Sequence, residues 1–335
     1  MRNNTVNLSQ ALNNIKVYTI LLVIIGHILA IYTPTSSFPL DGSKLTGILY
    51  NIIYSFHMPL FISVSGAVYA ICRSKNKYST WTLLIKEKSK RILLPYFTFA
   101  ILILFPSLKL LDITDINIGE YIINIIIGKN HLKHLWYLYV LFEMFIITYA
   151  LEKIINSVHT YILLTTLLII SVITYNTNII SIFQINMLLR YYLYFIIGYL
   201  IARGNIRIRC HSIIEISLII LGVVGVWIMY QLPSILFSLV STFTAISFIT
   251  AAYSICQKYK MGAGTKVYEL IKKDGMGIYL FHIIIIYTFY YFDLFASYGI
   301  YVQILSATIT SLVCSIALTR IVRILHLKFL IGELK

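Results

Sequence analysis

Ten apolar stretches, each close to twenty residues long, alternate with short polar segments along the sequence. A helix needs about 20 apolar residues to cross the hydrocarbon core of a bilayer. We therefore predict ten transmembrane helices, over residues 15–33, 47–71, 92–111, 134–151, 159–175, 187–202, 212–230, 233–256, 275–292 and 299–325. A further apolar stretch, 118–128, is too short to span and is interpreted as an interfacial or re-entrant segment.

The distribution of Lys and Arg between these stretches predicts the orientation of the chain. With the N-terminus inside the cell, 22 of these residues fall in cytoplasmic segments and five at the outer ends. Positive residues are retained on the cytoplasmic side of a membrane. The imbalance therefore indicates an even number of spans with both termini in the cytoplasm.

The composition agrees with a membrane protein and excludes a large soluble domain. Of the 335 residues, 59% are hydrophobic and only 12% are charged, whereas soluble domains carry about 25% charged residues. We therefore expect a single all-α integral membrane domain over residues 1–335, with no appended soluble domain.

Charge and motif content exclude several functional classes. The net charge of +15 comes from basic residues in separate short loops, so nucleic acid is not an expected partner. The segment MGAGTK at 261–266 lacks the glycine spacing of a phosphate-binding P-loop. No His or Cys residues have metal-ligand spacing, so no metal is expected. The four cysteines lie in or near predicted spans and imply no external disulfide framework.

Lys16 and His27 form the strongest polar pair, and both belong to the first span. The 11 helical steps between them place both on nearly the same face, roughly 16 Å apart along the axis. Ionisable groups at membrane depth are costly and commonly functional. An anion entering from the cytoplasm could contact Lys16 while its reactive end reaches His27. The alternative is that Lys16 extends to lipid headgroups and His27 hydrogen-bonds a neighbouring helix.

The second span contains His57 at membrane depth, followed by Pro59 and the small residues Ser63, Ser65 and Gly66. Pro59 removes a backbone donor, so we expect a kink with polar partners or water near His57. The small residues permit a close helix approach, and Ser65 is a candidate supporting residue of a site. A purely structural kink is the alternative.

Four more residues are candidate supporting residues. Glu143 lies near the middle of the fourth span, where it would pair with a histidine or lysine or be protonated. Trp136 begins the same span, and Tyr279 and His282 lie in the ninth. The alternatives are an interfacial aromatic belt for Trp136 and a buried structural role for His282.

The predicted cytoplasmic loop 73–91 holds seven basic residues and ends with Lys90 and Arg91. These side chains could bind anionic lipid, at about 1 kcal/mol each. They could also bind the phosphates of a cytoplasmic cofactor, for which Arg91 offers a planar fork and the lysines point charges. Both interpretations stay open.

Taken in order along the chain, these segments resemble the membrane acyltransferase-3 family. The matching pieces are IKVYTILLVIIGH, FHMPLFISVSG, RILLPY, HLWYL, YLYFIIGYLIA and GIYLFH. The resemblance covers essentially the whole chain and is greatest to stand-alone carbohydrate O-acetyltransferases of the fucose 4-O-acetylase-like group. That family pairs a basic residue, usually Arg, with a His after ten intervening residues, and here Lys16 takes the Arg position and His27 the His position.

The resemblance implies transfer of an acyl group, commonly acetyl, from cytoplasmic acyl-CoA to a carbohydrate. It implies catalytic roles for His27 and His57 and binding of the acetyl-CoA phosphates by Lys16, Lys90 and Arg91. The expected acceptor is a hydroxyl of a bacterial surface polysaccharide or of its lipid-linked precursor, and the expected location is the bacterial cytoplasmic membrane.

A transporter or flippase is the alternative class, with His27, His57 and Glu143 as a proton relay. The absence of paired broken helices in corresponding halves of the sequence argues against it. The concentration of polar groups in the first two spans also favours an enzyme.

Overall fold

The computed structural model describes residues 2–34, 36, 39–129, 133–177, 182–208, 210–259, 262–295 and 297–333. Throughout these residues the regular elements are helices, as the apolar pattern predicts. The α-helices are α1 Arg2–Ile31, α2 Lys44–Ser74, α3 Trp81–Lys88, α4 Leu94–Phe99, α5 Phe105–Leu110, α6 Ile118–Ile127, α7 Trp136–Ser157, α8 Thr160–Asn176, α9 Ile185–Arg203, α10 Ser212–Met229, α11 Ser234–Lys258, α12 Lys266–Tyr291 and α13 Ile300–Ile324. Short 3₁₀ turns, Lys133–Leu135 and Lys328–Ile331, precede α7 and follow α13.

Each predicted span overlaps one of these helices or, for the third span, a run of them. Within the described ranges, seven are long and apolar enough to cross a bilayer: Leu8–Ile31, Lys44–Ser74, Trp81–Leu110, Ile185–Arg203, Ser212–Met229, Ser234–Lys258 and Ile300–Ile324. The helix α8 has only 17 residues, and α7 and α12 are richer in polar and aromatic side chains. The helical class is therefore confirmed. The number ten and the orientation of the termini stay predictions.

The third span is longer than predicted and contains two wider π-helical turns. They occupy Ser89–Leu93 and Ala100–Leu104, and α4 and α5 each follow with a proline in the first turn. Proline lacks an N–H and its ring collides with the carbonyl four residues earlier. A π turn before each proline shifts the hydrogen-bond register, so the helix continues from Trp81 to Leu110.

By its internal contacts the chain divides into two compact units. Unit 1 comprises Met1–Thr19, Ser55–Glu87 and Val140–Ala263, and unit 2 comprises Ile20–Tyr54, Lys88–Tyr139 and Gly264–Lys335. The helices α1, α2, α3 and α7 contribute residues to both units. The expectation of a single membrane domain stays a prediction.

In unit 1, α2 and α9 approach so closely that their glycines contact the opposing backbone. A Cβ atom at Gly66 would lie 2.0 Å from the carbonyl oxygen of Phe195, and one at Gly198 would lie 1.7 Å from that of Ser63. Small residues allow this approach, which replaces the hydrophobic driving force that is lacking between helices in lipid. The prediction that Gly66 permits close packing is confirmed.

Ion pairs in unit 1 join helix ends. Arg73 donates from Nε and from Nη2 to Glu152, at 2.9 and 2.6 Å, and Tyr199 donates to the other oxygen of the same carboxylate at 3.3 Å. Lys258 pairs with Glu215 at 2.7 Å. Two of the basic residues counted for orientation therefore already hold carboxylates of the chain itself.

In unit 2, α1 and α12 run side by side in the same direction. A Cβ atom at Gly275 would lie 2.8 Å from Cδ1 of Ile20, so the absent side chain lets the two helices approach. Two turns further along each helix, the rings of His27 and His282 meet with centroids 5.0 Å apart. The glycine thus positions one histidine against the other.

The other side of α12 packs against α13, also within unit 2. A Cβ atom at Gly277 would lie 2.0 Å from Oγ1 of Thr319. One turn earlier, the buried carboxylate of Asp274 accepts a hydrogen bond from Arg323. Arg323 also donates to Glu333 at 2.8 and 2.6 Å, which fastens the segment after α13 to α12.

The close contact at Gly198 predicts a large loss of stability in Gly198→Ala. The added methyl group would overlap the carbonyl of Ser63, and overpacking of this kind costs about 1–3 kcal/mol. Thermal unfolding of the purified protein in detergent measures the change. Gly47→Ala is the matched control, because a Cβ atom there meets nothing within 4 Å. Equal melting temperatures for the two variants would contradict the packing.

The contact between Arg323 and Glu333 predicts a pH-dependent contribution to stability. The guanidinium holds the pKa of Glu333 below its usual value of 4.5. The ion pair therefore contributes its full stabilisation of the fold above that pH. This stabilisation is lost as the pH falls through the lower pKa that Glu333 has in the folded state. Since Glu333 is partly exposed, we expect Glu333→Gln to cost less than about 1 kcal/mol.

Melting temperatures of the wild type and of Glu333→Gln, measured from neutral to acid pH, check this expectation. The difference should be largest at neutral pH and should vanish in acid. Glu269→Gln, at a surface pair with Lys272, controls for the loss of one negative charge. A difference in melting temperature between the wild type and Glu333→Gln that grows on acidification would contradict the expectation.

Candidate active site

Unit 2 contains a cavity of about 250 Å³ between α1, α2 and α12. Its walls come from the C-terminal end of α1 and the residues that follow, from the first half of α2, from the turn before α7, and from α12. The lining residues are His27, Ala30, Ile31, Thr33, Ser36, Tyr50, Tyr54, His134, Ile283 and Tyr287. Two imidazoles, three phenols and two aliphatic hydroxyls therefore face one space.

His27 has a fixed orientation and a fixed tautomer. Its Nδ1 lies 2.8 Å from the carbonyl oxygen of Val23, one turn earlier on α1. A carbonyl can only accept, so the proton of the neutral ring is on Nδ1 and the lone pair is on Nε2. Since His27 is only partly buried and lines the cavity, it is suited to accept a proton from a bound molecule.

Gly26 makes room for the neighbouring wall of the cavity. A Cβ atom at Gly26 would lie 3.1 Å from Cγ2 of Ile53 and 3.4 Å from the ring of Tyr54. The first half of α2 therefore packs directly against α1, and the ring of Tyr54 lies 6.3 Å from that of His27. Tyr50 lies against Tyr54, with the two ring centroids 4.2 Å apart.

His282 is buried behind His27 on α12. Its Nδ1 lies 2.7 Å from the carbonyl oxygen of Tyr279 and 3.1 Å from that of Ile278. The Nδ1 therefore carries the proton, and Nε2 has the lone pair. In the part of the chain that the structure describes, this Nε2 has no hydrogen-bond partner.

His134 is the third histidine of the cluster, and sequence reasoning missed it. It lies in the 3₁₀ turn before α7, 4% exposed, and its ring is 5.0 Å from that of His282. Its Nε2 donates to the carbonyl oxygen of Leu280 at 3.1 Å, so its lone pair is on Nδ1. This Nδ1 also has no partner among the described residues. The only sequence signal was that His134 opens the HLWYL segment.

Aromatic rings surround the three histidines. The phenol of Tyr279, a predicted supporting residue, donates to the backbone carbonyl of His134, and its ring lies 5.3 Å from the His134 ring. Phe99 of α4 lies 6.4 Å from His134. Trp136 is half-buried and lies at the start of α7, 6.4 Å from Tyr137. The structure thus brings His27, Tyr279 and His282 together.

Lys90 and Arg91 also belong to unit 2, where they occupy the first π turn of the third span. Both side chains are exposed. The carbonyl of Arg91 lies close to Gly332, where a Cβ atom would approach it to 2.5 Å. The backbone at Arg91 is therefore held by the segment that follows α13, while its side chain stays accessible.

The other predicted residues lie in unit 1. His57 is 2% exposed on α2, and Lys16 is exposed on α1. Ser65 donates to the carbonyl of Phe61 at 3.1 Å, one turn earlier. Oε2 of Glu143 is buried and has no hydrogen-bond partner among the described residues. Of the two alternatives predicted for Glu143, pairing with a histidine or lysine is therefore not observed for this oxygen, and protonation of the carboxyl stays a prediction.

Among the residues that the structure describes, no group of three or more His, Cys, Asp or Glu is placed to hold a metal ion. Each of the three histidines instead donates one ring N–H to a backbone carbonyl.

Comparison with known proteins identifies the family. A sequence model described as an acyltransferase domain matches residues 9–320, which include all three histidines of the cluster. No curated protein and no solved structure matches the chain. The match covers nearly the whole sequence, and the described helices include seven candidate spans. The chain is therefore a multi-pass membrane protein that belongs to the membrane acyltransferase-3 family.

Proposed function

We propose that this protein is a membrane O-acyltransferase that moves an acetyl group from cytoplasmic acetyl-CoA to a hydroxyl of a carbohydrate. The acceptor is a bacterial cell-surface polysaccharide or its lipid-linked sugar precursor, and the protein acts in the cytoplasmic membrane. Beyond the family match, one observation carries the proposal. His27, whose ring proton is held on Nδ1 by the carbonyl of Val23, lines a cavity together with hydroxyl groups and aromatic rings.

His27 serves as the general base in this proposal. A neutral imidazole is suited to this task, because its ordinary pKa lies near working pH. Nε2 takes the proton of the acceptor hydroxyl while the oxygen bonds to the thioester carbonyl carbon. The carbon–sulfur bond then breaks, and the CoA thiolate takes up the proton. The hydrogen bond from Nδ1 to Val23 keeps the ring in place throughout.

The lining of the cavity fits a carbohydrate acceptor. Tyr50, Tyr54 and Tyr287 offer flat apolar rings with polar tips, and Thr33 and Ser36 add hydroxyls. A sugar ring has an apolar face and a rim of hydroxyl groups, so aromatic stacking and a few hydrogen bonds can bind it.

Basic residues bind the CoA phosphates in the same proposal. Lys16, Lys90 and Arg91 are exposed and lie at the predicted cytoplasmic side. Arg91 can hold a phosphate through two parallel N–H groups, whereas each lysine acts as a point charge. His57 is proposed to orient the base or to stabilise developing charge.

The proposed function is tested by following the acetyl group. Purified protein in lipid nanodiscs is mixed with radiolabelled acetyl-CoA and a panel of nitrophenyl glycosides, and label on the sugar is measured. Transfer of label supports the enzyme. Uptake of label into proteoliposomes without acylation would instead support the transporter.

His27→Gln should lower kcat for acetyl transfer by about 10²–10⁴-fold, the usual contribution of a general base. The amide cannot take the proton at neutral pH, although it has a similar size. Rates of CoA release and of sugar labelling measure the effect. His211→Gln, at an exposed histidine before α10, is the control. Full activity of His27→Gln would refute the assignment.

Lys16→Gln should raise KM for acetyl-CoA by about two- to tenfold, because one solvent-accessible hydrogen bond contributes about 0.5–1.5 kcal/mol net. KM for the glycoside should stay the same, and Lys16→Arg should retain tight binding. Steady-state kinetics with each substrate varied in turn distinguish the two constants. The control is Lys153→Gln, which removes another exposed lysine. An unchanged KM for acetyl-CoA in Lys16→Gln would exclude this role.

A further inference from the structure

In the same cluster as His27, two buried imidazole nitrogens have a lone pair but no hydrogen-bond donor to fill it. They are Nε2 of His282 and Nδ1 of His134, and both are without a partner in the described part of the chain. Their residues are 0% and 4% exposed. An unsatisfied buried acceptor costs about 1–3 kcal/mol. Two such acceptors in neighbouring rings therefore require a physical reason.

The backbone carbonyls that accept hydrogen bonds from His134 and His282 already have another donor. Each ring donates to a carbonyl inside α12, that of Tyr279 or that of Leu280. Carbonyls within a helix already accept the amide N–H four residues later. The backbone bonds therefore fix which nitrogen carries the proton in each ring, and they leave the other nitrogen as an acceptor.

Among the described residues, no carboxylate is hydrogen-bonded to a histidine of the cluster, where it could stabilise a protonated His27. In the described residues, the hydrogen bonds of the three histidines go to backbone carbonyls alone. Their ring neighbours include the phenols Tyr54 and Tyr279 and the apolar Phe99. When His27 becomes cationic, the ring nitrogens of His134 and His282 are buried acceptors of the same cluster that have no donor of their own among the described residues.

We infer that His134 and His282 are positioning residues that act through His27: their free ring nitrogens share the proton that His27 takes from the acceptor hydroxyl. The inference rests on the proposed function and adds residues to its mechanism. The three rings form a chain, because His282 lies 5.0 Å from both His27 and His134.

The proton that leaves the acceptor hydroxyl is accounted for throughout this step. The acceptor O–H bond breaks, the proton bonds to Nε2 of His27, and the three rings together carry one positive charge. Like charges at this spacing repel strongly in a low dielectric, so the cluster holds one added proton and not two. When the carbon–sulfur bond breaks, the thiolate takes this proton and the three rings become neutral again.

Paired amide substitutions separate proton sharing from a structural role. In His282→Asn the amide reproduces the Nδ1 donor and removes the Nε2 acceptor, whereas His282→Gln places an oxygen near the Nε2 position. At His134 the correspondence is reversed, because Nε2 is the donor there. His134→Asn therefore keeps an acceptor, and His134→Gln keeps the donor.

Proton sharing predicts that His282→Gln and His134→Asn retain more activity than the other member of each pair. The variants His282→Asn and His134→Gln should lose about ten- to a hundredfold in kcat for acetyl transfer, with KM for acetyl-CoA within about twofold of the wild type. A structural role predicts the opposite order in both pairs. That opposite order would overturn the inference.

A second measurement does not depend on catalysis. Wild-type protein labelled with [¹⁵N]histidine in nanodiscs is titrated with acid, and ring signals are assigned by comparison with single-histidine variants. Proton sharing predicts that the signals of His27, His134 and His282 move together in one step that takes up one proton. Movement of the His27 signals alone would overturn the inference, whether or not the wild type transfers acetyl groups. Failure of the wild type to label any acceptor would instead count against the proposed function.

Discussion

A polar group buried in a membrane protein cannot turn to water, and most of this chain is arranged around that constraint. Serine and threonine side chains donate to helical carbonyls one turn earlier, as Thr19 and Ser63 do. Buried carboxylates meet basic residues, as Asp274 meets Arg323. Other buried polar atoms in the described residues also lack a partner, among them Oε2 of Glu143, but the unpartnered nitrogens of His134 and His282 belong to neighbouring rings of one cluster. Two unsatisfied acceptors in one cluster are costly, and such departures from a purely structural arrangement are commonly functional.

Glycine spacing and histidine placement depend on each other in unit 2. Gly275 lets α12 lie against α1, and the next two turns carry that contact to His282 and His27. On its other side α12 accepts Thr319 of α13 through Gly277. Because α12 is held on both sides, the rings are fixed by backbone approach and not by side chains that could rotate away. A base on such a frame needs little reorganisation before it reacts.

The sequence was sufficient for the helical class, for helices at each predicted span, for choosing His27 as a candidate site residue and for the close helix approach at Gly66. These features follow from local pattern: apolar length, an ionisable group at membrane depth and small residues in a helix. His134 could not be found this way, because its contact with His282 joins positions 148 residues apart by their numbers. The tautomers of the three histidines could not be predicted from the sequence either, because each depends on which backbone carbonyl the ring contacts. The π turns before Pro95 and Pro106 were missed because a proline in a span predicts a break or kink, and not a continuous helix with shifted register.

The volume of the cavity has a consequence for how selectivity would be distributed. At about 250 Å³, it is smaller than the ordinary range of about 300–1,000 Å³ for pockets that enclose a whole small-molecule ligand. A long chain of sugars cannot enter it. Recognition would then be confined to the one ring that carries the reacting hydroxyl, and the remainder of the acceptor would lie outside the walls. In the proposed function, the protein would therefore select its acceptor by this one ring and not by the length of the chain attached to it.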